Sequence, residues 1–551
     1  MIPILRRLVR SAQNRWRSGA FLFPGALTAL LVAIAVVLLA NVHSGHNWNG
    51  DFAQYLMHAQ NIVDGQPYAK TPYVRGPINS NPGPPAYPPG FPLLLAPVYA
   101  AFGTAIIPMK VLIIVTFVGA LGLVASLLKE EFPTPYILAL IAVLGFNPFL
   151  VHFTTSVVSD LPFLLFVMLS LVAWQQSRAQ PETKTKIALA GLSGLLIYFS
   201  VLIRALGVVL PVSLLIYELL DRGRLSRTAL IGLSTVGLAF GLQTVASMIS
   251  AGTTTSTGIG HYEALVRQNL LNRFSELAGS ALHSARVYGR RMAQVVWRPL
   301  TPFLGYDIGL LRILTLLLVV GGWLYHALFR LSSFDVFTPL YVAALLPWSF
   351  HWTRYLIPVL PFCAFYVLYA LYGLHRWMQW KRPVLMLCTV APLLAAYGWS
   401  LVHNPATPSP KGALAPEAER VYREVRTETP SDALIVFSKP RFVALKTGRR
   451  SVRWFEGWDD DELLDYFMEA GVDYLLMGPP TANRRETIKT FVEDHPSRFA
   501  SAYQSSQYTL YRFIPRGETA EATLRRKSIH RTATAPGSRV QSPTRSRGRS
   551  R

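Results

Sequence analysis

Apolar residues in this chain gather into long runs with few charges, neither alternating nor recurring every third or fourth position. Runs of 15 to 24 residues recur through the first three quarters of the sequence: Phe21–Val42, Ala105–Leu128, Pro135–Phe153, Leu161–Gln176, Ile187–Ile203, Leu206–Leu220, Ala229–Ser250, Ile308–Leu328, Val336–Phe350, Tyr355–Leu374 and Pro383–Val402. As helices, most are long enough to cross a ~30 Å hydrocarbon layer once uncertain ends are allowed for. The pattern predicts a polytopic α-helical membrane protein with about eleven transmembrane helices.

Between and after the runs the pattern changes. Two long connections, 41–103 and 251–307, belong with the helices in a module covering 1–403. A Pro-rich linker, 404–415, leads to a segment, 416–515, in which charges are frequent and short strand-like runs (ALIVF, SVRWF, DYLLM, YTLYRF) alternate with helical stretches such as DDDELLDYFMEAG. This segment reads as a small α/β domain. The tail, 516–551, is Arg-, Ser- and Thr-rich, with ten basic residues against two acidic, and is expected to be disordered.

Composition agrees with the runs: 51% of the 551 residues are apolar and 15% charged, and the mean hydropathy is positive, which no ordinary soluble domain of this size needs. The net charge of +23 owes eight units to the tail, so it points to anionic lipid head groups or a cell-envelope polymer and not to nucleic acid. The two cysteines, Cys363 and Cys388, fall in expected spans and read as buried thiols without a disulfide framework.

Basic residues set the expected orientation, because they are retained on the cytoplasmic side. Arg6 to Arg17, Lys129, Arg178 to Lys186, Arg222 to Arg227, Arg330 and Arg376 to Arg382 occupy one set of connections. The expectation is a multi-pass plasma-membrane protein of a cell envelope, with a cytoplasmic N-terminus and an extracytoplasmic C-terminal domain. The first run exceeds a typical signal-peptide core, and no small-x-small cleavage site follows it.

Against that frame a few polar residues stand out. NWNGDFAQYLMHAQNIVDGQPY places Asp51 just beyond the first run, followed by Tyr55, Ala59, Ile62 and Val63 at helical spacing and by Gly65 as a stop. On position alone Asp51 reads equally as a solvated helix cap. Then comes AYPPGFP, containing Tyr87, and an apolar run, Phe91–Phe102, too short to span and expected to lie at the membrane surface. A second acid, Asp160 in TTSVVSDLPFLL, suits an N-cap of a helix starting at Leu161-Pro162. Two arginines, Arg204 in LIRALGVVLP and Arg354 in HWTRYLIPVLPF, sit at the expected outer rim. Arginine beside hydrocarbon either meets an anion, whose oxygens its planar fork suits, or snorkels to the head groups.

In this order and on this side, the first-loop Asp, the Tyr- and Ala-bearing helix after it, the YPPG turn and the second acid resemble the GT-C superfamily of integral-membrane glycosyltransferases. The bacterial branch related to the aminoarabinose transferase of lipid A and to protein O-mannosyltransferases is nearest. The resemblance covers about 21–361 in outline. It implies a sugar donor carried on polyprenyl phosphate, an acceptor hydroxyl on an envelope glycolipid, polymer or protein, and inverting transfer. It further implies Asp51 as catalytic carboxylate, with Asp160, Arg204, Arg354, Tyr55, Tyr87 and His261 contacting substrates. No cofactor is implied with certainty. The chain departs from the O-mannosyltransferases in carrying Gly50-Asp51-Phe52 where they have an acidic pair. His43, His46, His152 and His351 lack metal-ligand spacing, and no metal site is expected. The alternative class is a transporter or flippase of lipid-linked sugars, which would favour ionisable residues near the bilayer midplane and interrupted helices in two related halves.

Overall fold

The computed structural model describes residues 22–48, 50–75, 83–181, 184–250, 277–301, 309–347, 351–379, 384–403, 412–454, 457–479 and 485–515. The chain divides into two compact units between Ala418 and Glu419.

The first unit is helical. In chain order its helices are α1 (Leu22–Ala40), α2 (Gly50–Val63), α3 (Gly90–Phe102), α4 (Ile106–Leu128), α5 (Thr134–Gly145), α6 (Pro148–Thr154), α7 (Asp160–Ala179), α8 (Lys184–Ile203), α9 (Val209–Arg222), α10 (Arg227–Ser250), α11 (Leu277–Trp297), α12 (Gly309–Arg330), α13 (Ser333–Leu345), α14 (Leu360–Trp377) and α15 (Val384–His403). Among the described residues, seven helices (α1, α4, α7, α8, α10, α12 and α15) are long and apolar enough to cross a membrane, and α5 with α6 makes an eighth if the bent pair is one span. The 58° bend of that pair has a local cause. Pro148 has no N–H to continue α5, and the Asn147 side chain instead caps the new helix at the amides of Phe149 and Leu150, 3.0 and 3.3 Å away.

The three remaining expected spans are helices as well, but of 14, 13 and 18 residues (α9, α13 and α14), and none meets the length and apolarity of the others. Two are trimmed because 3₁₀ turns, Ala205–Val208 and Thr353–Leu356, use up the start of the apolar run. α14 carries three tyrosines and has His375 and Arg376 in its last turn. Cys363 is buried as expected, whereas Cys388 is exposed.

α7 packs against both α4 and α8, and α8 against α10. Charged pairs collect at several helix ends. Arg178, in the last turn of α7, pairs with the buried Glu218 of α9 at 2.7 Å and with Asp221. Arg330, ending α12, meets Glu131 at 2.9 Å, and His326 meets Asp335 at 2.9 Å.

The second unit holds a five-stranded sheet in the order β2-β1-β3-β5-β4, with β1 (Leu434–Val436), β2 (Arg450–Val452), β3 (Tyr474–Met477), β4 (Phe499–Gln504) and β5 (Thr509–Phe513). β1 is parallel to β2 and β3, while β5 is antiparallel to β3 and β4. Four of the strands fall on the four strand-like runs of the sequence; β4 carries no such signal, since four of the six residues of FASAYQ are small or polar. DDELLDYFME forms a helix (Asp460–Glu469) started by a capping box between Asp459 and Glu462.

Candidate active site

Asp51 stands in the first turn of α2. Its carboxylate does more than cap: Oδ1 accepts the Tyr87 hydroxyl at 2.7 Å, and Oδ2 accepts Arg354 Nη2 at 2.7 Å. Tyr87 is presented by the proline turn. Pro84–Ala86 form one 3₁₀ turn behind Gly83, and the Tyr87 carbonyl accepts the Tyr68 hydroxyl at 2.8 Å. The glycine of YPPG has a steric reason. A Cβ at Gly90 would lie 2.6 to 2.8 Å from the backbone of Leu202 and Ile203, so only glycine lets α3 meet the end of α8 one residue before Arg204.

Asp160 opens α7, whose N-cap is Ser159 and not the acid itself. Only 1% of the Asp160 side chain is exposed, and Oδ1 accepts Arg204 Nη1 in a very short contact. Arg204 is placed by the 3₁₀ turn that follows it, where a Cβ on Gly207 would strike the backbone of Ser200 and Val201 at 2.7 to 2.9 Å. Arg354 lies in the Thr353–Leu356 turn, bonded to Asp51 and with Nη1 3.9 Å from Asp160 Oδ2. Both guanidinium groups also lie near the Tyr355 ring, 5.2 and 5.7 Å from its centroid. The Tyr55 hydroxyl hydrogen-bonds Ser159 at 3.0 Å, joining α2 to the start of α7.

The four charges form a closed set, two acids and two arginines from four separate elements. Burial opposes the charge on Arg354, but Asp51 and then Asp160 outweigh it and hold its pKa well above the ordinary range. Arg204 behaves likewise, with Asp160 outweighing burial. Burial, then the Asp51 carboxylate, raise the Tyr55 phenol, which stays a neutral hydroxyl. Asp160 Oδ2, Arg354 Nε and the hydroxyl of the fully buried Tyr341 have no hydrogen-bond partner among the described residues.

No protein-family model and no curated protein matches the sequence. The fold does match solved structures. ArnT from Cupriavidus metallidurans in the apo state superposes with a TM-score of 0.53 at 12% identity, covering 88% of this chain and 98% of that one. The archaeal oligosaccharyltransferase AglB from Archaeoglobus fulgidus, in complex with an inhibitory peptide and a dolichol-phosphate, gives 0.54 at 11% identity, covering 90% and 75%. An oligosaccharyltransferase from Archaeoglobus fulgidus tethered to an acceptor peptide gives 0.51 at 11% identity, covering 88% and 74%. The chain shares the fold of these structures.

Within this fold the structure brings together Asp51, Asp160, Arg204, Arg354, Tyr55 and Tyr87, which are spread over some three hundred residues of sequence. His261, with the rest of 251–276, lies outside the described residues. Sequence reasoning missed Ser159, Tyr341 and Tyr355. Tyr355 was legible as the neighbour of Arg354 in HWTRYL, whereas the other two carry no local signal. Among the described residues no group of three or more His, Cys, Asp or Glu side chains is placed to hold a metal ion.

Proposed function

We propose that the chain is a membrane glycosyltransferase that moves a sugar from a polyprenyl-phosphate donor to an acceptor hydroxyl on the extracytoplasmic side, with inversion. The observation that carries this reading is the convergence of two carboxylates and two arginines at one rim of the helical unit, beside buried polar atoms without a hydrogen-bond partner among the described residues. Buried polar atoms are nearly always paired, and these would pair with an oxygen-rich ligand. The basic short connections gather at the opposite rim, which supports placing the site outside.

The geometry supports a sequence of events. Arg204 and Arg354 present fork-shaped cations suited to a phosphate. Because Arg354 occupies Asp51 Oδ2, a phosphate that draws Arg354 toward itself vacates that oxygen. An acceptor hydroxyl then hydrogen-bonds Oδ2, while Tyr87 holds Oδ1. As the hydroxyl oxygen attacks the anomeric carbon, Asp51 takes its proton. The bond to phosphate breaks, and its electron pair leaves with the phosphate oxygen, whose growing charge the arginines receive. Attack on the face opposite the leaving phosphate inverts the anomeric centre. Donors bearing either hexose or pentose sugars fit this scheme, as do glycolipid, polymer or protein acceptors.

A flippase has less support. Arg178 lies at the end of α7 opposite Asp160, about 30 Å away for a helix of this length. These charged pairs of the helical unit thus stand at helix ends and not at mid-helix. Purified protein supplied with a radiolabelled polyprenyl-phosphate sugar and candidate acceptors tests the proposal: label should move to an acceptor hydroxyl. Movement of intact donor across vesicles without transfer would favour the flippase.

A further inference from the structure

His46 belongs to no part of the chemistry above, yet it is 97% buried, at 3% exposure, in the loop that delivers α2. Its ring stacks on Phe52, the residue after Asp51, with centroids 4.2 Å apart and planes 21° apart. One ring nitrogen, Nδ1, lies 2.9 Å from the Asn47 carbonyl. The other, Nε2, accepts the backbone N–H of Val157 at 3.1 Å. Val157 is fully buried and stands three residues before Asp160. Without this acceptor its amide would be a buried donor with no partner, a costly state.

The two contacts fix one protonation state. A carbonyl only accepts, so Nδ1 carries the proton; an amide N–H only donates, so Nε2 is bare. Burial first, with smaller contributions from Lys110, His43 and His152, lowers the His46 pKa to about 4 against the pull of the Asn47 carbonyl, which keeps the ring neutral at physiological pH. The loop itself is pinned from the other side. Lys110 of α4, with no exposure, donates to the carbonyls of His43 at 2.7 Å and Gly45 at 2.6 Å and lies 3.2 Å from His43 Nδ1.

We propose that His46 is a positioning residue: as a neutral imidazole protonated on Nδ1, it ties the loop leading to Asp51 to the turn leading to Asp160 and so sets the spacing of the two acids around Arg354. This rests on the transferase reading, under which a displacement of about 1 Å at the reacting groups costs on the order of 10²-fold in rate.

Two substitutions separate the bond from the packing. His46→Phe keeps the stack on Phe52 and removes the acceptor. His46→Gln places an amide oxygen near the position of Nε2. We expect His46→Phe to lower kcat per bound donor by about 10- to 10²-fold, with the donor KM within about threefold of wild type, and His46→Gln to recover most of the loss. Counting turnover per donor-binding site removes any effect of a smaller folded fraction. Hydrogen exchange reads the tie without activity: the Val157 amide should be protected in wild type and His46→Gln and exposed in His46→Phe. Should His46→Phe not fold, 15N spectra of histidine-labelled wild-type protein decide, and a proton on Nε2 or a cationic ring near pH 7 overturns the tie. Wild-type turnover in a folded His46→Phe, or a loss that glutamine does not restore, overturns it equally. Absence of transfer by the wild-type protein would instead refute the transferase reading, leaving the exchange and tautomer results to judge the tie.

Discussion

Replacing Arg354 by alanine removes one of two cations from a set that is otherwise neutral. Two acids then face the single guanidinium of Arg204, and an arriving phosphate meets net negative charge. Two unit charges 4 Å apart interact by about 4 kcal/mol at an effective dielectric constant of 20. Donor binding, however, exchanges the 2.7 Å contact of Arg354 with Asp51 for one with phosphate, so only the difference counts. A hydrogen bond to a charged group has a net worth of about 1.5–3 kcal/mol. At 1.4 kcal/mol per tenfold, that predicts roughly 10- to 10²-fold weaker donor binding in Arg354→Ala. Arg354→Lys keeps the charge without the fork and should fall between. The assay is titration of polyprenyl phosphate into purified protein in detergent, alongside thermal unfolding to show that each variant retains a cooperative transition. Folded Arg354→Ala with wild-type donor affinity would remove Arg354 from the phosphate site and reduce it to an anchor for Asp51.

Three further outcomes follow from the same geometry. Tyr87→Phe loses the hydroxyl bonded to Asp51 but keeps the ring packed edge-on against Tyr55, so transfer should fall about fivefold, near 1 kcal/mol, with the melting temperature almost unchanged. Asp160→Asn leaves Arg204 without its buried counter-charge, and thermal or denaturant unfolding should show a loss on the order of 3 kcal/mol together with a raised donor KM. Gly90→Ala forces a Cβ to 2.6 Å from the backbone of Leu202, so the end of α8 must move and carry Arg204 with it; transfer should drop at least about tenfold, and normal turnover in this variant would show that the α3–α8 contact does not set the site.

The residues of the site were legible one by one, but their partners were not. Asp51 and Arg354 stood out because charge at the edge of an apolar run is costly and therefore noticeable. Their bond joins residues 303 positions apart, and no periodicity encodes that pairing. The same holds for Arg204 and Asp160, and for Tyr87, whose hydroxyl donates to Asp51. The cap reading of Asp160 shifts by one residue, to Ser159, because local signals place helix starts only to within a residue or two. The apolar runs located the membrane helices well where they continue straight to the rim. They overstated α9 and α14, since a run of apolar residues reads the same whether its first turn is α-helical or a 3₁₀ turn that aims an arginine. His46 was visible only as a histidine without metal-like spacing; its role depends on a backbone amide 111 positions away.

The most direct measurement compares Asp51→Asn with wild type for transfer of labelled sugar from a polyprenyl-phosphate donor, with donor affinity measured in parallel. Asparagine keeps the shape and caps a helix about as well as aspartate, but it takes no proton. It also frees Arg354 from its counter-charge, so the donor should bind at least as tightly as before. If Asp51 is the base, turnover falls by a factor on the order of 10² or more while affinity and folding hold. Near-normal turnover in Asp51→Asn, above all beside an inactive Asp160→Asn, would contradict the assignment and leave Asp51 as a structural partner of Arg354 and Tyr87.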